Sequence, residues 1–236
     1  MTAAAEPPTP VPGAALLEAV AVMDRLRSPG GCPWDAEQTH DSLRKYLVEE
    51  CYELLDAIEE GDRAALREEL GDVLLQVLFH SRVAQESADA PFSIDDVATE
   101  LVAKLVGRHP HVFAGGDPAV RDARTQEHRW ETLKQQEKKR ESSVDGVAMG
   151  QPALALAAKL VQRTARAGFP TSLLPQTPLF AAAAREKLAG IDPEGALRAE
   201  ARTFAAGVRA AEQSARAAGV DPAAMTSEDW HRFWSP

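Results

Sequence analysis

Two short stretches of the chain carry carboxylates at a spacing that suits divalent cations. They read Glu49-Glu50-Cys51-Tyr52-Glu53 and Glu69-Leu70-Gly71-Asp72. Residues three apart on a helix are surface neighbours, so Glu50 would stand beside Glu53, and Glu69 beside Asp72. Like charges placed in this way repel and raise each other's pKa unless something positive lies between them. Hard divalent cations accept oxygen ligands and cancel the repulsion, which makes magnesium or manganese the natural occupant. The competing reading is a solvated face in a chain where acids outnumber bases 36 to 26. A di-iron bundle is a further competitor, but it needs Glu-x-x-His on two helices, and neither acidic stretch contains one, Glu37 to His40 being the one instance near them.

These residues need two helices to bring them level. Gly61 is a plausible helix stop. Glu53 lies eight residues before it and Glu69 eight after, while Glu50 and Asp72 are eleven away on either side. In an antiparallel hairpin both pairs then fall roughly 12 to 17 Å from the turn, at about 1.5 Å per residue. At about 100° per residue, Leu43, Leu47, Cys51, Leu54 and Ile58 form one apolar stripe with Glu50 at its border. Leu66, Leu70, Val73, Leu74 and Val77 form the other, bordered by Glu69.

The rest of the chain reads as helix as well. Apolar residues recur every three or four positions and no period-two strand stands out, so the expected class is all-α. Helices are expected over Ala14 to Arg27, Asp41 to Glu60, Asp62 to Ser87, Ile94 to His109 and Pro118 to Glu141. A second set is expected over Pro152 to Ala167, Leu179 to Ala189, Pro193 to Ala218 and a short helix ending near Trp234. Ser93, with Asp96 three residues on, is a natural cap. Residues 1–13 hold four prolines and read as a disordered tail.

Composition narrows the function classes. At 236 residues and 44% hydrophobic content the chain can bury a real core. No stretch approaches the roughly 20 apolar residues of a membrane span, and residues 1–13 lack the order of a signal peptide, so the expectation is a cytoplasmic protein without a membrane partner. Cys32 and Cys51 give neither a disulfide framework nor ligand spacing, and Cys51 falls on the apolar side of its helix. A formal net charge of -10 disfavours sequence-independent nucleic-acid binding. An anionic small substrate would need cations to meet it. No G-x-x-x-x-G-K-[ST] phosphate loop is present, so carboxylate-held metal would have to replace one.

The blocks Gly31-Cys32-Pro33-Trp34-Asp35, Gln38-Thr39-His40, Glu49-Glu50-x-x-Glu53, Glu69-Leu70-Gly71-Asp72, Arg108-His109-Pro110-His111-Val112-Phe113, and Trp130-Glu131 with Lys134 follow one another in that order. In this the chain resembles the MazG nucleoside triphosphate pyrophosphohydrolases over about residues 16–139. The resemblance implies a helical bundle of the all-α NTP pyrophosphatase type, assembled as a homodimer or higher homo-oligomer. It implies hydrolysis of NTPs and dNTPs to the monophosphate and pyrophosphate, dependent on Mg²⁺ with Mn²⁺ able to substitute, in nucleotide-pool house-cleaning.

Carried over by position, Glu50, Glu53, Glu69 and Asp72 resemble the metal ligands. Glu49 is similar to the residue that orients water or helps hold a further metal. Lys104 and Arg108 resemble the phosphate-binding basic pair, and Trp130 and Lys134 resemble residues that close the nucleotide site. Trp34 reads either as a core plug or as a base-stacking wall. His109 and His111 read as structural. The domain reading is a tail at 1–13, a catalytic domain at 14–141, a linker at 142–150 and, at 151–236, a degenerate second copy without the acidic motifs. The function class that competes with the enzyme is a catalytically weak or inactive helical module that binds nucleotides or a partner.

Overall fold

The structure, a computed structural model, describes residues 11–113, 122, 125, 126, 130 and 141–234. Residues 1–10, most of the expected helix from Pro118 to Glu141, and Lys134 lie outside the described residues. Among the described residues the regular structure is helical, with no strand. The chain divides into two compact units, residues 1–127 and 128–236.

The first unit contains α1 (Ala14–Arg27), α2 (Pro33–Glu37), α3 (His40–Glu60), α4 (Arg63–Ala84), α5 (Ile94–Arg108) and the single turn α6 (Pro110–Phe113). Local chemistry sets the hairpin of α3 and α4. The Thr39 hydroxyl accepts from the Ser42 amide and the Ser42 hydroxyl accepts from the Thr39 amide, a reciprocal cap that starts α3. Gly61 ends α3 in the left-handed region, at φ 71°. Asp62 follows at once, and its Oδ1 accepts from the Ala64 and Ala65 amides to start α4. The reversal therefore takes only Gly61 and Asp62, which forces α3 and α4 to run antiparallel and in contact. Ser93 and Asp96 cap α5 reciprocally, as their spacing indicates.

The core of this unit is small. Met23 of α1, Leu43 of α3, and Leu78 and Phe79 of α4 are buried together, with Val20, Leu26, Tyr46, Val83 and Ile94 packed around them. Arg27, buried at the end of α1, pairs with Glu86 just beyond α4. Arg82 joins Glu86 to Asp24. These contacts fix α1 across the end of the hairpin that lies far from Gly61.

The helical faces differ from the sequence reading. Cys51 is exposed, and Ile58 and Leu70 are 54% and 52% exposed, with Leu74 and Val77 also in solvent. The positions that turn inward are Leu43, Tyr46, Leu47, Glu50, Leu54 and Ala57 on α3, and Ala65, Leu66, Glu69, Asp72, Val73 and Gln76 on α4. Each helix carries two apolar stripes. A periodicity count merges them, whereas the two-residue turn selects one as the seam and leaves the other uncovered. Glu50 and Glu69 are half-buried beside that seam.

The second unit contains α7 (Ala153–Arg166), α8 (Pro178–Leu188), α9 (Pro193–Ala217) and α10 (Ser227–Phe233), with 3-10 turns at Thr171–Leu173 and Pro222–Ala224. Its buried hydrophobic side chains are short: Ala157, Ala158 and Val161 on α7, Ala183 and Ala184 on α8, Ala211 and Ala215 on α9, and Arg163 of α7 is buried as well. Such residues let helices approach closely. Trp234 packs flat on Gly207, where an added Cβ would lie 2.9 Å from the indole.

Candidate active site

The two helices meet as the spacing about Gly61 requires. Carboxylate oxygens of Glu50, Glu69 and Asp72 lie within 4.8 Å of one another, and all three residues are half-buried. Glu53, exposed one turn from Glu50, stands outside this set of three. It hydrogen-bonds the Glu50 carboxyl and repels both Glu50 and Glu69. Partial burial in the seam, then the charges of Asp72, Glu53 and Glu49, push Glu50 above the usual range for a glutamate. Partial burial again comes first for Glu69, followed by Glu53, Asp72 and Glu68, and it too is raised.

The fit to a divalent cation follows from this arrangement. Three carboxylate oxygens lie within 4.8 Å of one another, and a hard cation prefers this donor set. No basic side chain makes an ion pair with Glu50, Glu53, Glu69 or Asp72 among the salt bridges between described residues. In consequence the cluster repels itself in the metal-free chain.

Of the other residues singled out by sequence, Glu49 is exposed on α3 beside Glu50. Lys104 and Arg108 stand four apart on α5 in unlike surroundings. Lys104 is exposed and lines a shallow pocket with Phe92, Asp96 and Glu100, whereas Arg108 is buried at 5% exposure. Gln126 donates to the Arg108 carbonyl at 3.2 Å. Neither belongs to the carboxylate group. Trp34 is not a core plug: it is half exposed, with its ring edge-on to Tyr46 and Phe79. Trp130 is half-buried, helical, and falls in the second unit. His109 bonds its own helix through Nδ1 and the Leu105 carbonyl, 2.6 Å apart.

Three residues near the site escaped the sequence reading. Gln76 and His80 continue the inward line of α4 beyond Asp72, one and two turns on, and each has a buried polar atom, Oε1 and Nε2, without a hydrogen-bond partner among the described residues. His80 meets His40 of α3 with Nδ1 atoms 2.8 Å apart and ring planes 4° from parallel. One imidazole donates and the other accepts, which ties the start of α3 to α4. Partial burial and then the charge of His40 lower the His80 pKa. The third is Arg27. The signal that could have found it is the second of two arginines in the last turn of an apolar helix, three residues before Gly30-Gly31.

Comparison with known proteins agrees with this geometry. The model of the MazG nucleotide pyrophosphohydrolase domain matches residues 38–113, a stretch that contains both acidic pairs, Lys104 and Arg108. The chain is 48% identical over 242 residues to a nucleoside triphosphate pyrophosphohydrolase of Mycolicibacterium smegmatis, covering 96% of this chain and 72% of that protein. It is 45% identical over 233 residues to the protein of that name from Mycobacterium tuberculosis, covering 94% and 69%. It is 53% identical over 210 residues to an uncharacterized 26.1 kDa protein of Streptomyces cacaoi, covering 86% and 84%. Identity at this level runs through both compact units of the chain, so the likeness extends beyond the acidic hairpin, and the chain belongs to the MazG nucleotide pyrophosphohydrolase family.

Proposed function

We propose that this protein hydrolyses nucleoside triphosphates and deoxynucleoside triphosphates to the monophosphate and pyrophosphate, with Mg²⁺ as the physiological cation and Mn²⁺ able to replace it. The observation that carries the reading is the convergence of Glu50, Glu69 and Asp72 across the α3–α4 seam, with Glu53 beside them. Relatives of which the chain covers 72% and 69% bear the name nucleoside triphosphate pyrophosphohydrolase, which points the same way.

Glu50, Glu53, Glu69 and Asp72 would hold the cations. Divalent cations held there would supply neutralisation of the triphosphate, a more acidic water and stabilisation of pyrophosphate as a leaving group. Glu49, exposed next to Glu50, accepts a proton from the attacking water or orients it. Lys104 and Arg108 act as fixed positive charges for the departing phosphates. Trp34, Trp130 and Lys134 contribute to nucleotide binding. Among the described residues no salt bridge neutralises these carboxylates, and a metal-bound triphosphate would balance them.

Assembly into a homodimer or higher homo-oligomer fits the uncovered stripe of Ile58, Leu70, Leu74 and Val77, since an apolar face of that extent on two adjacent helices is unusual for a monomer. Residues 1–13 are read as a tail, 14–141 as the catalytic domain, 142–150 as a linker, and 151–236 as a degenerate, non-catalytic copy. Nucleic acid is not a partner, given a net charge of -10. No helix among the described residues is long and apolar enough to cross a membrane. That is consistent with a cytoplasmic enzyme. Product analysis with ATP and each dNTP tests the reading: equal amounts of monophosphate and pyrophosphate support it, and absence of turnover favours an inactive nucleotide-binding module.

A further inference from the structure

Gln76 is a polar residue where the seam of α3 and α4 would take an apolar one. It stands fifteen residues after Gly61, level with Tyr46, which stands fifteen before, and it is 4% exposed. Its side-chain oxygen Oε1 is buried and has no hydrogen-bond partner among the described residues. Buried amides are as a rule paired, because an unpaired one gives up its bonds to water and gains none in return. Val73 on α4 and Leu47 on α3, the nearby inward positions, are apolar and offer it no side-chain donor. A leucine or methionine would fill the same space without that cost.

The direction of the residue is informative. At about 100° per residue, Gln76 lies about 20° around α4 from Glu69 and about 40° from Asp72. One face of α4 therefore carries two carboxylates and then, one turn beyond Asp72, a carboxamide oxygen. Glu50 adds a third carboxylate from α3. Every oxygen in this row accepts, and no basic side chain forms a salt bridge with the three acids among the described residues. A bare cation would satisfy the carboxylates, but the neutral oxygen further on calls for a hydrogen-bond donor. Mg²⁺ sheds its water reluctantly and keeps several waters when bound, and these are strong donors. The rise of one helical turn, about 5.4 Å, leaves room for such a water between ion and amide.

We propose that Gln76 is a positioning residue of the cation site, whose Oε1 accepts a hydrogen bond from a water carried by the divalent cation at Glu50, Glu69 and Asp72. The inference rests on the reading of those carboxylates as the cation site. Gln76 holds the hydrated ion from the buried side, whereas Glu49 and Glu53 lie on the exposed side. The competing role is structural, with the amide nitrogen turned toward Asp72 or Glu69 to ease their repulsion. The two roles predict opposite signs.

The test uses the full chain and the variants Gln76→Leu, Gln76→Met and Gln76→Glu. Mn²⁺ affinity is measured by titration calorimetry at a temperature where every variant is folded, and melting is recorded without metal. Gln76→Leu and Gln76→Met should bind Mn²⁺ roughly tenfold to 100-fold more weakly than the parent. Their metal-free melting temperatures should match or exceed the parent's, because a buried unpaired acceptor is gone. Gln76→Glu keeps an acceptor oxygen and should retain Mn²⁺ affinity, while melting earlier without metal because one more negative charge joins the cluster. Unchanged Mn²⁺ affinity in Gln76→Leu and Gln76→Met would overturn the proposal. Lower metal-free melting temperatures in both, or a loss of affinity in Gln76→Glu as large as theirs, would overturn it as well. A parent that binds no Mn²⁺ would remove the carboxylate reading and this inference together, which separates that failure from the failure of Gln76 alone.

Discussion

A carboxylate oxygen of Glu50 and one of Asp72 lie within 4.8 Å of each other across the α3–α4 seam, although the two residues stand eleven positions on either side of Gly61. A tight antiparallel reversal brings them together, and a divalent cation or a bound proton makes their closeness favourable. Stability and chemistry are therefore opposed at this point in the metal-free chain.

Glu50→Gln and Glu69→Gln should separate the two. Each change removes one charge and keeps the shape. Loss of a direct ligand should cost at least ~100-fold in kcat, more than the loss of an outer hydrogen-bond partner usually costs. The melting temperature of the metal-free variant should not fall, because a repulsion has been removed. The rise in melting temperature that Mg²⁺ gives the parent should shrink. Calorimetric melting with and without Mg²⁺, beside pyrophosphate release, reads both effects, and full turnover in either variant would refute the ligand assignment.

The raised pKa values of Glu50 and Glu69 set a pH window. Between 4.5 and the raised values the folded chain binds more protons than the unfolded one, so the metal-free protein gains stability as pH falls through that range. Cation affinity moves the other way, since the cation must displace those protons. Titration with Mn²⁺ in buffers of different ionisation enthalpy should show proton release on binding that grows toward lower pH. No release anywhere in that range would contradict the shifts.

His80 gives an acid limb of opposite sign. Its folded pKa lies below 6.5, so its contribution is fully present above pH 6.5 and is lost as pH falls toward the lowered value. His80→Gln should flatten this limb in urea unfolding followed between pH 7 and pH 5. A limb of unchanged steepness would assign the acid sensitivity to other groups.

Gly61→Ala probes the turn. A Cβ there meets nothing within 4 Å, so the cost is the left-handed backbone alone, about 1 kcal/mol. Denaturant unfolding should show that loss, with hydrolysis kept at temperatures where the variant is folded. A loss several times larger would mean that the substitution disturbs packing as well.

Much of this was legible from residue types. Gly61 and the paired acids specified a hairpin and its level, and Ser93 with Asp96 specified where α5 begins, because caps and i, i+3 neighbours are local. The facing of α3 and α4 was not. Leu70, Leu74 and Ile58 are apolar and helically spaced, yet they are exposed, while Glu69, Asp72 and Gln76 turn inward. Periodicity reports that a helix has an apolar side, and the turn and the packing of α1 decide which side is covered. The five-residue α2 was missed because it is too short to show a period, and with it went Arg27, whose partners lie 8, 11 and 59 residues away.

Hydrolysis of ATP in ¹⁸O-labelled water by the full chain, with Mg²⁺ and with Glu50→Gln run in parallel, bears most directly on the proposed reaction. The label should appear in AMP, with pyrophosphate unlabelled and formed in equal amount, and the variant should form little of either. Label in orthophosphate with ADP accumulating, or equal turnover by the variant, would contradict cleavage between the α and β phosphorus atoms at the Glu50, Glu53, Glu69 and Asp72 site.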